Sequence, residues 1–175
     1  ACAKHFAVHS GPEWNRHEFN AENIKPRDLY ETYLPPFEAL VKEGKVKEVM
    51  CAYNRFEGDP CCGSDRLLMQ ILRDEWGFDG IVMTDWGTKQ GTVKAVKAGN
   101  DLMEPGMPVE IERIVAAVKA GEITQEELDR NVRNMLEYIV KTPRFNKYNY
   151  SNKPDLKAHA ELVRAAAPEG LVLLK

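Results

Sequence analysis

The sequence lacks several features that would assign it to a specialised class of protein. None of its apolar runs approaches the roughly 18 residues that a membrane-spanning helix needs. Its 24 basic and 27 acidic residues leave a net charge of −3, which gives no electrostatic reason to bind nucleic acid or an anionic membrane. The glycine-rich phosphate-binding motifs and the GxSxG nucleophile motif are also missing. We therefore expect no nucleic acid and no membrane among its partners.

Cysteine is scarce, and its spacing fits no zinc pattern and no CxxC motif. Cys2 and Cys51 lie in apolar runs typical of strands, and we expect both to be free, buried thiols. Cys61 and Cys62 are neighbours in a loop and are not expected to bridge each other, so a disulfide scaffold is not expected. The histidines near the N-terminus have no acids at helical ligand spacing. We expect neither a metal nor another cofactor.

The first residues have neither an initiator methionine nor the layout of a signal peptide. They already show a strand pattern, so we expect an internal start and a longer parent protein. The compartment in which that protein resides stays open.

Apolar segments typical of strands alternate with helical patterns along most of the chain, an order typical of a parallel sheet. Strands are predicted at 1–9, 46–54, 80–85 and 100–103. Helices are predicted at 27–43, 65–75, 88–98, 109–120 and 124–142. Pro35 and Pro36 are expected to kink or split the first of these helices. Because a closed (β/α)8 barrel has eight strands and about 250 residues, the α/β fold predicted here is half a barrel or a small open sheet.

The pattern changes after residue 142. Residues 143–154 are rich in Asn, Lys, Tyr and Pro, which predicts a linker or an extended arm. A helix at 155–166 and a strand at 170–175, cut off at its end, are predicted to follow.

Polar or aromatic residues stand at the end of each of the first four predicted strands. They are Lys4-His5, Tyr53-Asn54, Asp85-Trp86 and Glu104. Because the carboxyl ends of parallel barrel strands meet at the face that carries the chemistry, we expect these residues to share one site. Each also has a structural alternative: Asp85 could cap a helix or begin a turn, Lys4-His5 could pair with an acid, and the two aromatic side chains could simply pack.

A carboxylate beside hydrogen-bonding side chains and an indole suits a sugar substrate. Lys4 and His5 can donate to hydroxyl groups, and Trp86 offers a flat apolar surface to a pyranose ring. A carboxylate nucleophile needs donors nearby to stay ionised, and Tyr53 and Lys4 are candidates for stabilising Asp85.

Four segments of the chain resemble glycoside hydrolase family 3, the β-glucosidase and β-xylosidase family. They are 4–7 (KHFA), 50–55 (MCAYNR), 80–87 (GIVMTDWG) and 98–106 (AGNDLMEPG). The resemblance implies that residues 1–142 are the C-terminal half of the family's N-terminal (β/α)8 catalytic barrel, that 143–154 are a linker, and that 155–175 begin its second, α/β sandwich domain. The barrel's first half and the rest of the second domain are then expected elsewhere in the full protein.

The resemblance also assigns roles to residues. Asp85 corresponds to the nucleophile that forms the glycosyl-enzyme. The substrate-binding residues that it implies are Lys4, His5, Arg16, Met50, Tyr53 and Trp86. Lys4 and His5 would bind sugar hydroxyls in the −1 subsite, Tyr53 would stand beside the nucleophile, Trp86 would form a wall, and Met50 would touch the pocket base. Arg16 would correspond to the arginine of the loop that follows the Lys-His strand.

The implied function is retaining, exo-acting hydrolysis of an oligosaccharide or glycoside. A second carboxyl group must then protonate the leaving oxygen from about 5–5.5 Å away from the nucleophile. In the family that group is usually a glutamate of the second domain, so the chain is expected to be an incomplete enzyme or a non-catalytic carbohydrate-binding fragment. Trp86 favours a β-glucosidase, whereas the loop 10–17 favours a β-xylosidase.

Overall fold

The computed structural model describes residues 1–87 and 91–174. Its strands are β1 (Cys2–Phe6), β2 (Asn20–Ala21), β3 (Glu48–Cys51), β4 (Arg55–Phe56), β5 (Asp59–Pro60) and β6 (Ile81–Met83). Its α-helices are α1 (Pro26–Asp28), α2 (Pro35–Lys42), α3 (Thr92–Lys97), α4 (Pro108–Lys119), α5 (Gln125–Lys141) and α6 (Leu156–Ala166). Two further segments, Leu29–Tyr33 and Arg66–Glu75, are π-helical, and short 3-10 turns lie at Glu13–Asn15, Cys61–Gly63 and Ala167–Gly170.

The central sheet is parallel and has the order β1-β3-β6. Helical segments separate its strands along the chain, so the predicted parallel α/β organisation is confirmed. One face is fully apolar, because Ala3, Val49 and Val82 are buried in register with one another. The π-helix Arg66–Glu75 contributes four buried aliphatic side chains to the same core, namely Leu67, Leu68, Ile71 and Leu72. The burial of these apolar side chains explains why the central sheet packs against this π-helix.

The fourth predicted strand is reduced to a single bridge between Met83 and Leu102. The N–H of Val82 donates to the side-chain carboxylate of Asp101 (2.8 Å), where a strand partner would offer a backbone carbonyl. The N–H of Glu104 donates to the hydroxyl of Thr84 (2.7 Å). Because side chains take these two donors, residues 100–103 follow β6 in parallel without forming a regular strand.

The helices agree with the sequence pattern to within a few residues, with two differences. The first helix is split: a π-helical turn ends at Tyr33 and α2 begins at Pro35, as expected from the two prolines. The helix predicted at 88–98 begins at Thr92, and residues 88–90 lie outside the described part of the chain. A capping box begins α5, since the Thr124 hydroxyl accepts from the N–H of Glu127 (3.1 Å) and the Glu127 carboxylate accepts from the N–H of Thr124 (2.8 Å).

A second, small sheet that the sequence pattern did not predict has the order β2-β4-β5. β4 and β5 form a hairpin whose two turn residues, Glu57 and Gly58, both have positive φ (51° and 91°). Positive φ at both turn positions is the geometry of the tight hairpin turn that suits the twist of antiparallel strands. The strands have only two residues each, too few for an alternating pattern to be seen in the sequence.

The expectation that Cys51 is a free thiol is wrong, because Cys51 and Cys62 form a disulfide with a Cα–Cα separation of 5.1 Å. Cys51 ends β3, and the chain returns through the β4–β5 hairpin to bring Cys62 beside it. Cys2 and Cys61 are the free cysteines of the described residues; Cys61 is buried and Cys2 is partly buried. Burial raises the pKa of the Cys61 thiol to about 12.

The chain divides into two compact units, 1–142 and 143–175. In the second unit, α6 begins after Asp155, whose carboxylate accepts from the N–H of Ala158 (3.0 Å). The predicted strand at 170–175 is wrong for its described residues: Gly170 ends a 3-10 turn and residues 171–174 pair with no strand of the described chain. These residues are 75–99% exposed, so no partner supplies the hydrogen bonds that a strand requires. Among the described residues, no helix combines the length and apolar character needed to cross a membrane.

Candidate active site

The end of β6 places Asp85 at the edge of the central sheet. Thr84, which is buried, donates its N–H to the carbonyl of Leu102 (3.0 Å) and accepts from the N–H of Glu104. This double attachment fixes the backbone immediately before Asp85. The side chain of Asp85 is 14% exposed, so it is largely shielded but still open to one side.

The carboxylate of Asp85 has a partner at each oxygen. Its Oδ2 lies 3.2 Å from Nε2 of His5, and its Oδ1 accepts from the N–H of Trp86 (2.7 Å). The next described helix, α3, has Gly91 at its N-terminal cap and no side-chain cap. Asp85 therefore does not cap α3, and its carboxylate faces the N-terminal strand instead.

Burial lowers the pKa of His5, and the negative charge of Asp85 opposes that shift only in part. The charges of Lys4, His9 and Arg16 lower the pKa further. His5 is therefore a mostly neutral imidazole at neutral pH and can act as a hydrogen-bond donor through one ring nitrogen.

Tyr53, which follows β3, contacts the segment that carries Asp85 and Trp86. Its hydroxyl donates to the backbone carbonyl of Trp86 (2.7 Å). Burial raises the pKa of Tyr53, and the nearby carboxylate of Asp85 raises it further. The phenol thus stays protonated and can donate a hydrogen bond at any physiological pH.

A cavity of about 630 Å³ opens beside these residues. Its lining consists of His17, Glu18, Tyr53, Arg55, Pro60, Trp86 and Gly87. Trp86 has 65% of its surface exposed, which leaves a broad apolar ring available at the mouth. Asp85 itself is not part of this lining, but Trp86 and Gly87, which follow it, are. Aromatic and hydrogen-bonding walls of this kind suit a polyhydroxylated ligand.

Three of the six predicted substrate-binding residues gather at Asp85, namely His5, Tyr53 and Trp86. Lys4 is exposed and lines a separate cavity of about 320 Å³ together with His5. Met50 is half-buried in register with Met83, two residues before the nucleophile candidate. Among the described residues, no hydrogen bond or ion pair joins Lys4 or Met50 to Asp85.

Arg16 belongs to the loop after β1 and is half-exposed. Its Nη1 lies 3.3 Å from Oε1 of Glu13, and its Nε donates to Nε2 of His17 (3.2 Å). The structure thus places Arg16 behind the cavity wall, where it orients His17. Its charge is still close enough to lower the pKa of His5.

Sequence reasoning missed His9, His17, Glu18 and Arg55 as residues of this region. The rings of His9 and His17 are stacked, with centroids 6.3 Å apart, and His17 lies 4.5 Å from the ring of Tyr53. A usable signal was present in the sequence, since His9 and His17 fall in or next to one short polar stretch that follows the first strand. Two acids of the neighbouring loops are paired with arginines: Glu13 with Arg16, and Glu57 with Arg66.

The described residues contain no group of three or more His, Cys, Asp or Glu side chains arranged to hold a metal ion. The chemistry available at this site is that of a positioned carboxylate with imidazole, phenol and indole neighbours.

Comparisons with known proteins identify relatives for the whole described fold. A family model described as the glycosyl hydrolase family 3 N-terminal domain matches residues 1–138. The chain is 48% identical over 151 residues to a xylan 1,4-beta-xylosidase of Xylanibacter ruminicola, covering 78% of the chain and 17% of that protein. It is 38% identical over 182 residues to beta-glucosidase B of Emericella nidulans, covering 100% of the chain and 21% of that protein.

Solved structures show the same relationship in three dimensions. The structure of beta-glucosidase 3B from Thermotoga neapolitana in complex with glucose matches with a TM-score of 0.90 and 42% identity, covering 99% of this chain and 25% of that one. The chain thus spans a quarter or less of the length of these relatives. Since the family model covers most of the chain and the fold is a parallel α/β portion of a barrel of this type, the chain belongs to glycosyl hydrolase family 3.

Proposed function

We propose that the protein is a retaining, exo-acting β-glycosidase that removes terminal β-D-glucosyl residues from oligosaccharides or glycosides, with Asp85 as its nucleophile. The observation that carries the proposal is the arrangement around Asp85, which combines the contacts of His5 and the Trp86 N–H with an open cavity on one side. The relatives described above support a glycosidase, since they include beta-glucosidases and a xylosidase.

The first chemical step forms a bond between a carboxylate oxygen of Asp85 and the anomeric carbon, while the glycosidic C–O bond breaks. A second carboxyl group gives its proton to the departing oxygen. Water then cleaves the glycosyl ester, giving its proton back to that second group and releasing the sugar with the original anomeric configuration. Asp85 must be correctly turned for the first step, and its two oxygen contacts hold that orientation.

The neighbouring side chains divide the remaining tasks. Tyr53 holds the backbone of Trp86 in place, and the exposed indole of Trp86 gives an apolar surface for a pyranose ring. Lys4 donates to sugar hydroxyls in the −1 subsite, and His5, whose Nε2 faces Asp85, can accept from a hydroxyl through Nδ1, with Met50 at the base of the subsite. Arg16 supports the wall through His17.

The second carboxyl group is assigned to a part of the protein outside residues 1–175. We infer that residues 143–154 link the barrel to a second, α/β sandwich domain that begins within 155–175 and supplies the proton donor. The rest of the barrel is likewise assigned to other parts of the full protein.

A β-xylosidase is the second candidate. It is favoured by the 48% identity to the xylosidase of Xylanibacter ruminicola and by the loop 10–17. The two sugars differ by one hydroxymethyl group, so the ratio of kcat/KM for an aryl β-glucoside and an aryl β-xyloside in the full-length protein separates the candidates.

The nucleophile assignment is tested by trapping. The full-length protein is incubated with an activated 2-deoxy-2-fluoroglucoside, digested, and the labelled peptide sequenced by mass spectrometry; we expect the label on Asp85. Asp85→Asn should abolish both labelling and turnover, whereas the matched variant Asp79→Asn, on an exposed aspartate, should leave both unchanged. Label on a different carboxylate, or turnover that survives in Asp85→Asn, contradicts the assignment.

A further inference from the structure

Asn54 is fully buried immediately after the site residue Tyr53, and its amide is completely engaged. Its Nδ2 donates to the backbone carbonyls of Ala7 (3.4 Å) and Arg55 (3.1 Å). Its Oδ1 lies 3.1 Å from Nδ1 of His9. A buried amide with every polar atom paired holds a single orientation, because turning it over would leave its donors and acceptors mismatched.

The two carbonyl partners determine which nitrogen of His9 carries a hydrogen. Carbonyl oxygens can only accept, so the Asn54 amide must present its NH₂ group to Ala7 and Arg55. Its oxygen then faces His9 and must itself accept. Nδ1 of His9 is therefore the protonated nitrogen, and this hydrogen bond fixes the plane of the His9 ring.

The His9 ring stands between two other imidazoles. Its centroid lies 5.4 Å from that of His5, at an interplanar angle of 56°, and 6.3 Å from that of His17, at an angle of 10°. His5 continues to Asp85, with 3.2 Å between Nε2 and Oδ2, and His17 continues to Tyr53, with 4.5 Å between the centroids. The side chains thus form a series of contacts that reaches the nucleophile candidate on one side and the cavity wall on the other.

We propose that His9 is a positioning residue, locked by Asn54, which keeps the imidazole of His5 against Asp85 and that of His17 against Tyr53. The proposal deepens the proposed function and rests on it, because it takes Asp85 as the nucleophile. His9 lies outside the lining of the 630 Å³ cavity, although it shares the lining of the smaller 320 Å³ cavity with Lys4 and His5. Its effect on Asp85 is indirect, because it acts through the ring of His5, which contacts the carboxylate. Its contribution is geometric, since a small rotation of His5 moves the group that orients the Asp85 carboxylate.

The test compares two partial replacements of His9 in the full-length protein. His9→Phe keeps a ring between His5 and His17 but removes the Nδ1 donor. His9→Asn places an amide nitrogen near the position of Nδ1 but removes the ring. His9→Ala removes both features. The fourth histidine, His159 on the exposed face of α6, provides matched controls as His159→Phe and His159→Asn.

The measurement is the rate constant for trapping by the activated fluoroglucoside, expressed per titrated active site. A purely structural role would reduce the number of active sites and leave the rate constant of each site unchanged. We expect His9→Ala to lower the per-site rate constant by about tenfold to a hundredfold, with His9→Phe and His9→Asn falling between it and the parent protein. The His159 variants should match the parent.

The outcomes separate this proposal from the proposed function. If Asp85 is labelled in the parent but His9→Phe and His9→Asn keep per-site rate constants within about twofold of it, the positioning role is wrong and the nucleophile assignment stands. If Asp85 is not labelled in the parent, the proposed function fails first. If His9→Ala does not fold, the other two variants decide, since each retains part of the side chain.

Discussion

The phenol of Tyr53 donates to the backbone carbonyl of Trp86 at 2.7 Å, while the N–H of the same tryptophan donates to Asp85. Both backbone groups of Trp86 are thus used within the site. Tyr53 lies just after β3, and Trp86 lies just after β6, so one hydrogen bond joins two strand ends that are 33 residues apart in sequence. The orientation of Asp85 therefore depends on the side chain of a neighbouring strand.

Tyr53→Phe tests this dependence. Removing one partly exposed hydroxyl should change the free energy of unfolding by only about 0.5–1.5 kcal/mol. The same change frees the carbonyl of Trp86, whose N–H orients Asp85, so kcat of the full-length protein should fall by about tenfold or more while the protein stays folded. Steady-state kinetics and denaturant unfolding measure the two effects. Tyr150→Phe, on an exposed tyrosine, is the control; an unchanged kcat in Tyr53→Phe would show that the hydrogen bond does not serve the site.

The lowered pKa of His5 predicts how the stability of the protein changes as the pH falls. Because burial lowers the folded-state pKa below the unfolded value, the contribution of His5 to stability is present above the unfolded pKa of about 6.5 and is lost as the pH falls through the folded pKa. In the full-length protein, the urea midpoint of the parent should therefore fall more between pH 7.5 and pH 5 than that of His5→Gln. Equal slopes for the two proteins would contradict this assignment, and His159→Gln should behave like the parent.

A buried ion pair supports the segment that carries the nucleophile candidate. Nη2 of Arg73 lies 2.7 Å from Oδ2 of Asp101, whose side chain is fully buried and also accepts from Val82 and Asn134. Asp101→Ala would leave Nη2 of Arg73 and the N–H of Val82 without the carboxylate that accepts from both. We expect a loss of about 3–5 kcal/mol in the free energy of unfolding, measured by denaturant titration.

The exposed pair of Lys47 and Asp79 is the comparison for that experiment. Asp79→Ala should cost at most about 1 kcal/mol, because water and salt screen the pair and its side chains remain hydrated. A similar cost for Asp101→Ala would mean that Asp101 contributes no more than a surface charge.

The disulfide between Cys51 and Cys62 predicts a pattern of thiol chemistry. Peptide mapping without reductant should recover Cys51 linked to Cys62, with Cys61 as a thiol that alkylates slowly in the native protein because its pKa is raised to about 12. Replacing both partners by alanine should cost about 3 kcal/mol, the loop entropy expected for a separation of 11 residues. Alkylation of Cys51 in the unreduced, unfolded protein would contradict the pairing.

Much of the fold could be predicted because its signals are local. The limits of α5 follow from the capping box at Thr124, and the apolar runs at β1, β3 and β6 give the strands in their correct order. At the site, His5, Tyr53 and Trp86 could be assigned to Asp85 because parallel strands bring their ends to one edge. These inferences required only the pattern of apolar residues, a helix-capping motif and the topology of a parallel sheet.

The missed features depend on how the loops return to the sheet. Cys51 looked like an ordinary apolar strand residue, and only the path of the β4–β5 hairpin brings Cys62 beside it. His9 stood at the end of the first predicted strand, and only the buried amide of Asn54 gives it a fixed orientation. Contacts such as these, between residues 11 and 45 positions apart, leave no periodic trace in a single sequence.

The bond between Cys51 and Cys62 encloses much of the cavity wall in a covalent ring, since Tyr53, Arg55 and Pro60 all lie between the two cysteines. The exposed turn of this ring is at Glu57 and Gly58, where a protease would cut most readily. A single cut there leaves both new chain ends tethered through sulfur. The nicked polypeptide would therefore run as one band without reductant and as two with it, and the cavity wall would outlast the break in its backbone.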